Sequence, residues 1–129
     1  MLFRSFIGDR LDTDILGAYN VGIDSLLVLS GVTSIAELIT AVPNERPTYI
    51  AWDASGISNS HQGVVVENGA VSLGGFKATA DGLSGSGDSL DAIRVAAVAA
   101  WEGICPATVL ISDLARRGLA VNTLERKGN

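Results

Sequence analysis

Near its N-terminus the chain holds three short apolar runs, Leu2–Ile7, Ser25–Ser30 and Thr48–Trp52, kept apart by two stretches that carry helix signals. A strand covered on both faces reads as such a continuous run rather than as an alternation of apolar and polar residues. The first helical stretch, Thr13–Val21, places Ile15, Ala18 and Tyr19 on one face and ends at Gly22, which suits a left-handed helix stop. The second opens with Ser34-x-x-Glu37, a spacing at which both side chains satisfy free N–H groups, and its helix, Ile35–Ala41, is stopped by Pro43. Strand, helix, strand, helix, strand with right-handed crossovers predicts a parallel sheet covered by helices.

Past Gly56 the pattern changes. Gly63–Glu67 and Ala70–Leu73 flank Asn68-Gly69, a pair that tolerates positive φ and predicts a two-residue hairpin turn. Gly82–Gly87, with three glycines in six residues, reads as a loop that ends at Asp88 or Ser89. Either residue can cap a helix with Leu90, Ile93, Ala97, Trp101 and Ile104 on its inner face. A last helix is expected from Pro106, closing at Arg116-Arg117-Gly118.

Composition limits the function classes. With 47% apolar and 18% charged residues, the 129-residue chain is expected to pack a core. Fourteen acids against nine bases give a net charge of -5 without a Lys/Arg stripe, so no nucleic-acid partner is expected. The single cysteine, Cys105, cannot form an intramolecular disulfide and is read as a small buried hydrophobe. No signal-peptide pattern opens the chain, and the longest apolar stretch, Val95–Trp101, is far short of the roughly 20 residues of a bilayer span. The expectation is a cytoplasmic protein without a membrane partner.

The most informative stretch is Gly8-Asp9-Arg10-Leu11-Asp12-Thr13-Asp14-Ile15, three carboxylates in six residues where a strand gives way to a helix. In open α/β sheets ligands bind at that carboxyl edge. Oxygen ligands of this kind suit Mg²⁺, which takes one or two protein carboxylates and keeps waters or substrate oxygens. The same residues also suit a purely structural task, with Asp12 and Thr13 capping the helix and Asp14 favouring its N-terminal dipole. Elsewhere the bland reading prevails. Gly82-x-x-Gly85-x-Gly87 lacks the Lys-Ser/Thr of a phosphate loop, His61 has no second ligand near it, and Trp101 belongs to an apolar helix face.

From Ser5 to Ile57, GDRLDTDI, DSLLVLSGVTS-x-x-EL and RPTYIAWD together resemble the C-terminal end of haloacid dehalogenase-like (HAD) phosphatases, in the 4-nitrophenylphosphatase and phosphoglycolate phosphatase branch. The resemblance implies an α/β fold: the C-terminal part of a Rossmann-like core, residues 1–57, followed by an accessory hairpin-plus-helices segment, residues 58–129. It also implies that Asp9 is the motif-four carboxylate that binds Mg²⁺. Asp14 would be the supporting acid of the catalytic site, Thr13 a support of the turn and Asp12 a helix cap. Gly31 to Thr33 match a loop near the site and are given no chemistry.

That family attacks phosphate with an Asp-x-Asp element near its N-terminus, and only eight residues precede Asp9 here. The expected function is therefore that of a portion of a Mg²⁺-dependent phosphoric monoester hydrolase, inactive alone for lack of the nucleophile. It would act on a phosphorylated small molecule only when the missing part is supplied. An alternative is a non-catalytic α/β interaction module. In the phosphatase reading an open sheet edge gives the isolated chain a route to self-association; in the module reading the open edge binds a partner.

Overall fold

The computed structural model describes residues 5–29, 32–53, 63–119 and 121, and these form two compact units. The first is built on a parallel sheet of β1 (Ser5–Gly8), β2 (Asp24–Val28) and β3 (Tyr49–Ala51), in the order β1-β2-β3. The alternation of apolar runs and helix signals predicts this arrangement correctly. Leu26 and Leu27 of the central strand are both fully buried although they point to opposite faces, which is why that run carries no alternation. Burial of each such side chain contributes about 1.5–3 kcal/mol. Ser25 and Thr48 clasp β2 to the start of β3: the Ser25 N–H donates to Thr48 Oγ1 at 3.0 Å, and the Thr48 N–H donates to Ser25 O at 3.1 Å.

The crossover after β1 begins earlier and less regularly than its sequence predicts. Residues Leu11–Ile15 form a π-helical turn, in which the Ile15 N–H reaches back five residues to Arg10 O at 3.1 Å. The chain then narrows into α1 (Leu16–Val21) and stops at Gly22, which has φ 75° as expected. Ile15 and Ala18 face the core, whereas Tyr19 is 56% exposed and so does not share their face. Each residue of the widened turn rotates less than an α-helical one, and this shifts the face that the sequence period assigns.

The second unit contains α2 (Ile35–Ile39), an antiparallel sheet of four consecutive strands and two longer helices. The strands β4 (Val65–Glu67), β5 (Ala70–Leu73), β6 (Phe76–Thr79) and β7 (Gly82–Gly85) form a meander. Asn68 (φ 54°) and Gly69 (φ 73°) make the predicted turn between β4 and β5. The segment Gly82–Gly87 is not a loop: Gly82 to Gly85 pair residue by residue with Thr79 to Phe76. Its glycines serve close approach instead, since a Cβ on Gly85 would overlap Gly75 O and one on Gly82 would lie 2.5 Å from Asp113 Oδ2.

Helices α3 (Ser89–Trp101) and α4 (Ala107–Arg116) complete this unit. Asp88 caps α3, its Oδ1 accepting the Leu90 N–H at 2.8 Å. Ile93 and Ala97 are buried as predicted, and Val95, Ala96 and Ala99 are buried too, because α3 packs on β5 and β6 as well as on α2 and α4. Ile104 lies beyond the helix, which ends three residues before it. Trp101 is half-buried, and its Nε1 donates to Leu38 O at 3.1 Å. Pro106 is the N-cap of α4, one position before the first turn in which it is expected. Among the described residues no helix is long and apolar enough to cross a membrane.

Candidate functional site

Gly8 ends β1 at the carboxyl edge of the parallel sheet, and the acidic segment follows at once. An added Cβ at Gly8 would overlap Cβ, Cγ and Oδ2 of Asp14, so only glycine lets the Asp14 side chain lie against the strand end. From that position Asp14 Oδ2 accepts the Asp9 N–H at 3.2 Å and the Arg10 N–H at 3.3 Å. Asp14 thus reaches back to the two amides that precede the turn. It does the work of a cap from inside the helical segment.

The other two acids have different surroundings. Asp12 is not the helix cap: the cap position is Arg10, and Asp12 sits in the exposed π-helical turn. Its Oδ1 accepts from Arg10 Nε and its Oδ2 from Arg10 Nη2, both at 3.3 Å. This pairing holds the Asp12 carboxyl below its usual pKa and raises that of Arg10. Full exposure makes the pair a weak contributor to stability. Thr13, expected to support the turn, is exposed.

Asp9 is half-buried, and its backbone is held at both ends. Its N–H is taken by Asp14, and its C=O accepts the Thr33 hydroxyl at 2.6 Å. Thr33 is 6% exposed and comes from the loop after β2, so this bond ties together the two loops at the sheet's carboxyl edge. Neither bond uses a carboxylate oxygen of Asp9. Of the three acids, Asp12 pairs with an arginine and Asp14 accepts two backbone amides through Oδ2, whereas the bonds that hold Asp9 use its main chain. One half-buried carboxylate at a strand end fits the sparse protein ligation that Mg²⁺ accepts. Among the described residues no three His, Cys, Asp or Glu side chains come together as a complete metal site.

Sequence reasoning brings Asp9 and Asp14 to this place but gives Thr33 no role. Its partner is a main-chain carbonyl 24 residues away, and no residue pattern records that. Gly31 and His61 lie outside the described residues. Cys105 is 3% exposed, and burial pushes its thiol pKa up, as suits a packing residue.

Comparison with known proteins covers the same segment. Residues 5–56 match the family model described as HAD-hydrolase-like. The chain is 37% identical over 105 residues to the D-glycerol 3-phosphate phosphatase of Mycobacterium tuberculosis, a match covering 74% of this chain and 30% of that enzyme. Two phosphoglycolate phosphatases of Arabidopsis thaliana match shorter segments. One is 47% identical over 51 residues, covering 40% of this chain and 17% of its own length; the chloroplastic 1A enzyme is 69% identical over 43 residues, covering 33% and 12%. The crystal structure of the M. tuberculosis glycerol phosphate phosphatase in complex with magnesium superposes with a TM-score of 0.54 at 35% identity, covering 76% of this chain and 31% of that one. The chain therefore spans about a third or less of these relatives. Residues 5–56, the segment with the parallel sheet and the Gly8–Asp14 contact, belong to the haloacid dehalogenase-like hydrolase superfamily.

Proposed function

We propose that this chain supplies the motif-four part of a Mg²⁺-dependent phosphatase acting on small phosphate monoesters, with Asp9 as the metal carboxylate and Asp14 as the acid that shapes its loop. The observation that carries the reading is the double anchoring of the Asp9 main chain, which fixes the residue while leaving its carboxylate unspent. When bound there, Mg²⁺ supplies positive charge to phosphate oxygens. Glycerol 3-phosphate and phosphoglycolate, the substrates in the relatives' names, point to a two- or three-carbon monoester. In this reading residues 1–57 carry the metal-holding part of the core and residues 58–129 are accessory. The M. tuberculosis match covers 74% of the chain, so it extends past residue 57.

Phosphoryl transfer also needs a positioned nucleophile, and no Asp-x-Asp-Gly element precedes Asp9 in this chain. The expected outcome for this chain is no turnover of 4-nitrophenyl phosphate with Mg²⁺. Turnover lost in Asp9→Asn would overturn that statement. Mg²⁺ titration followed by NMR tests the metal assignment: the amides of residues 8–14 move first, saturating on the order of millimolar or above as sparse carboxylate sites do, and Asp9→Asn abolishes the response. Shifts confined to residues 63–119 would place the cation elsewhere.

A second reading, a non-catalytic α/β interaction module, draws on the lack of a complete metal-ligand trio among the described residues. Wild-type chain that shows no Mg²⁺ response at all would favour it.

A further inference from the structure

We infer that Thr33 is a positioning residue for the Asp9 carboxylate, acting through the Asp9 main chain and not by touching a ligand; this rests on the metal assignment proposed above. A residue that must present its side chain to a cation needs its own Cα fixed, and that takes constraints on the peptide units on both sides. Asp14 supplies the constraint at the Asp9 N–H, at 3.2 Å and from within the same turn. Pairing of β1 with β2 runs up to Gly8↔Leu27 and stops there, so the Asp14 bond, made within the turn, does not tie Asp9 to the neighbouring loop. The Thr33 hydroxyl supplies the missing reference: it comes from the next crossover loop, is buried, and donates to Asp9 O at 2.6 Å, shorter than either Asp14 contact.

The residue type matters as well. A hydroxyl carries one donor and no net charge, so it can hold the carbonyl without competing electrostatically for the cation. A lysine or arginine on the same main-chain carbonyl would bring a full positive charge beside the Asp9 carboxylate and so oppose a cation there. Burial at 6% exposure also keeps water from replacing the bond once it is lost.

The test is Mg²⁺ titration of the full chain at constant ionic strength, read from the amides of residues 8–14 in the wild type, Thr33→Val and Thr33→Ser. Loss of a group that orients a metal ligand costs about 10-fold or more in affinity, so the Thr33→Val midpoint rises by about 10-fold and Thr33→Ser restores it. Thr33→Ala repeats the measurement should Thr33→Val not fold. A merely structural threonine would lower the melting temperature and leave the midpoint alone. A Thr33→Val or Thr33→Ala midpoint equal to that of the wild type refutes the positioning role while leaving Asp9 as the metal residue. A wild-type chain that does not bind Mg²⁺ refutes the metal assignment, and this inference with it.

Discussion

Gly8→Ala tests the contact on which the whole acidic loop depends. Gly8 lies in extended backbone within β1, so alanine is not opposed by its conformation there, and the cost comes from space alone. The new Cβ would fall on Cβ, Cγ and Oδ2 of Asp14, and a backbone-near Cβ cannot swing aside as a long side-chain tip can. Asp14 must withdraw and give up its bonds to the Asp9 and Arg10 amides. At 3.2 and 3.3 Å each is a long bond, worth about 1 kcal/mol. Displacing packed atoms adds about 1–3 kcal/mol, so Gly8→Ala is expected to cost about 3–5 kcal/mol in urea unfolding followed by circular dichroism. Asp14→Gly removes all three overlapping atoms, and Gly8→Ala introduced into that background should then cost no more than about 0.5 kcal/mol further. An equal cost of Gly8→Ala in both backgrounds would show that Asp14 is not what excludes a side chain at Gly8.

Three further outcomes follow from the packing. Asp113→Ala strands the buried Leu83 N–H that Asp113 Oδ2 accepts at 2.9 Å and should cost about 1–3 kcal/mol, whereas Arg116→Ala, at an exposed ion-pair partner, should cost less than about 1 kcal/mol in the same melts. Burial raises the Cys105 thiol pKa in the folded state, so the native chain should resist iodoacetamide that the unfolded chain consumes; its contribution to stability is complete below the unfolded thiol's pKa and declines as pH rises from there through the folded value. Among the described strands β1 pairs with β2 alone; an edge left without a partner strand would make the chain self-associate on size-exclusion with light scattering, and a monodisperse, cooperatively melting monomer would count against that.

The parallel sheet was legible because its physics is written in residue types: Leu26 and Leu27 must both be apolar when both faces of β2 are covered, and Gly22 must be small where φ is positive. The antiparallel sheet was half legible. Asn68-Gly69 announces its turn, but Gly82 and Gly85 look like loop residues when their purpose is to let neighbouring atoms approach β7. In the candidate site, three acids in six residues drew attention to one loop and could not rank themselves. Their ranking depends on which atoms each carboxylate meets: an arginine for Asp12, two backbone amides for Asp14 and neither for Asp9. Helical periodicity also failed across the π-helical turn, because a rule based on 3.6 residues per turn misplaces Tyr19 once the first turn is wider.

The two units use one local device with different consequences. In each, a strand glycine lies against a helical aspartate whose Oδ2 accepts a neighbouring backbone N–H: Gly8 with Asp14 and the Asp9 and Arg10 amides, Gly82 with Asp113 and the Leu83 amide. The contact itself is therefore a way to join a strand end to a helix and is not a mark of function. Around Asp113 the neighbouring arginines are spent on structure: Arg116 pairs with its Oδ1, and Arg117 donates to the carbonyl of Gly85 at 2.8 Å, at the β7 edge. Around Asp14 the same contact leaves a second carboxylate, Asp9, next to it with its main chain anchored and its oxygens uncommitted to those bonds. What sets the Gly8–Asp14 contact apart is the Thr33 hydroxyl, which ties the neighbouring Asp9 carbonyl to a second loop. That difference predicts that Asp113→Asn leaves the Mg²⁺ response of residues 8–14 unchanged, whereas Asp14→Asn, which replaces an ionised acceptor of two amides with a neutral one, weakens it; equal effects of the two substitutions would refute the distinction.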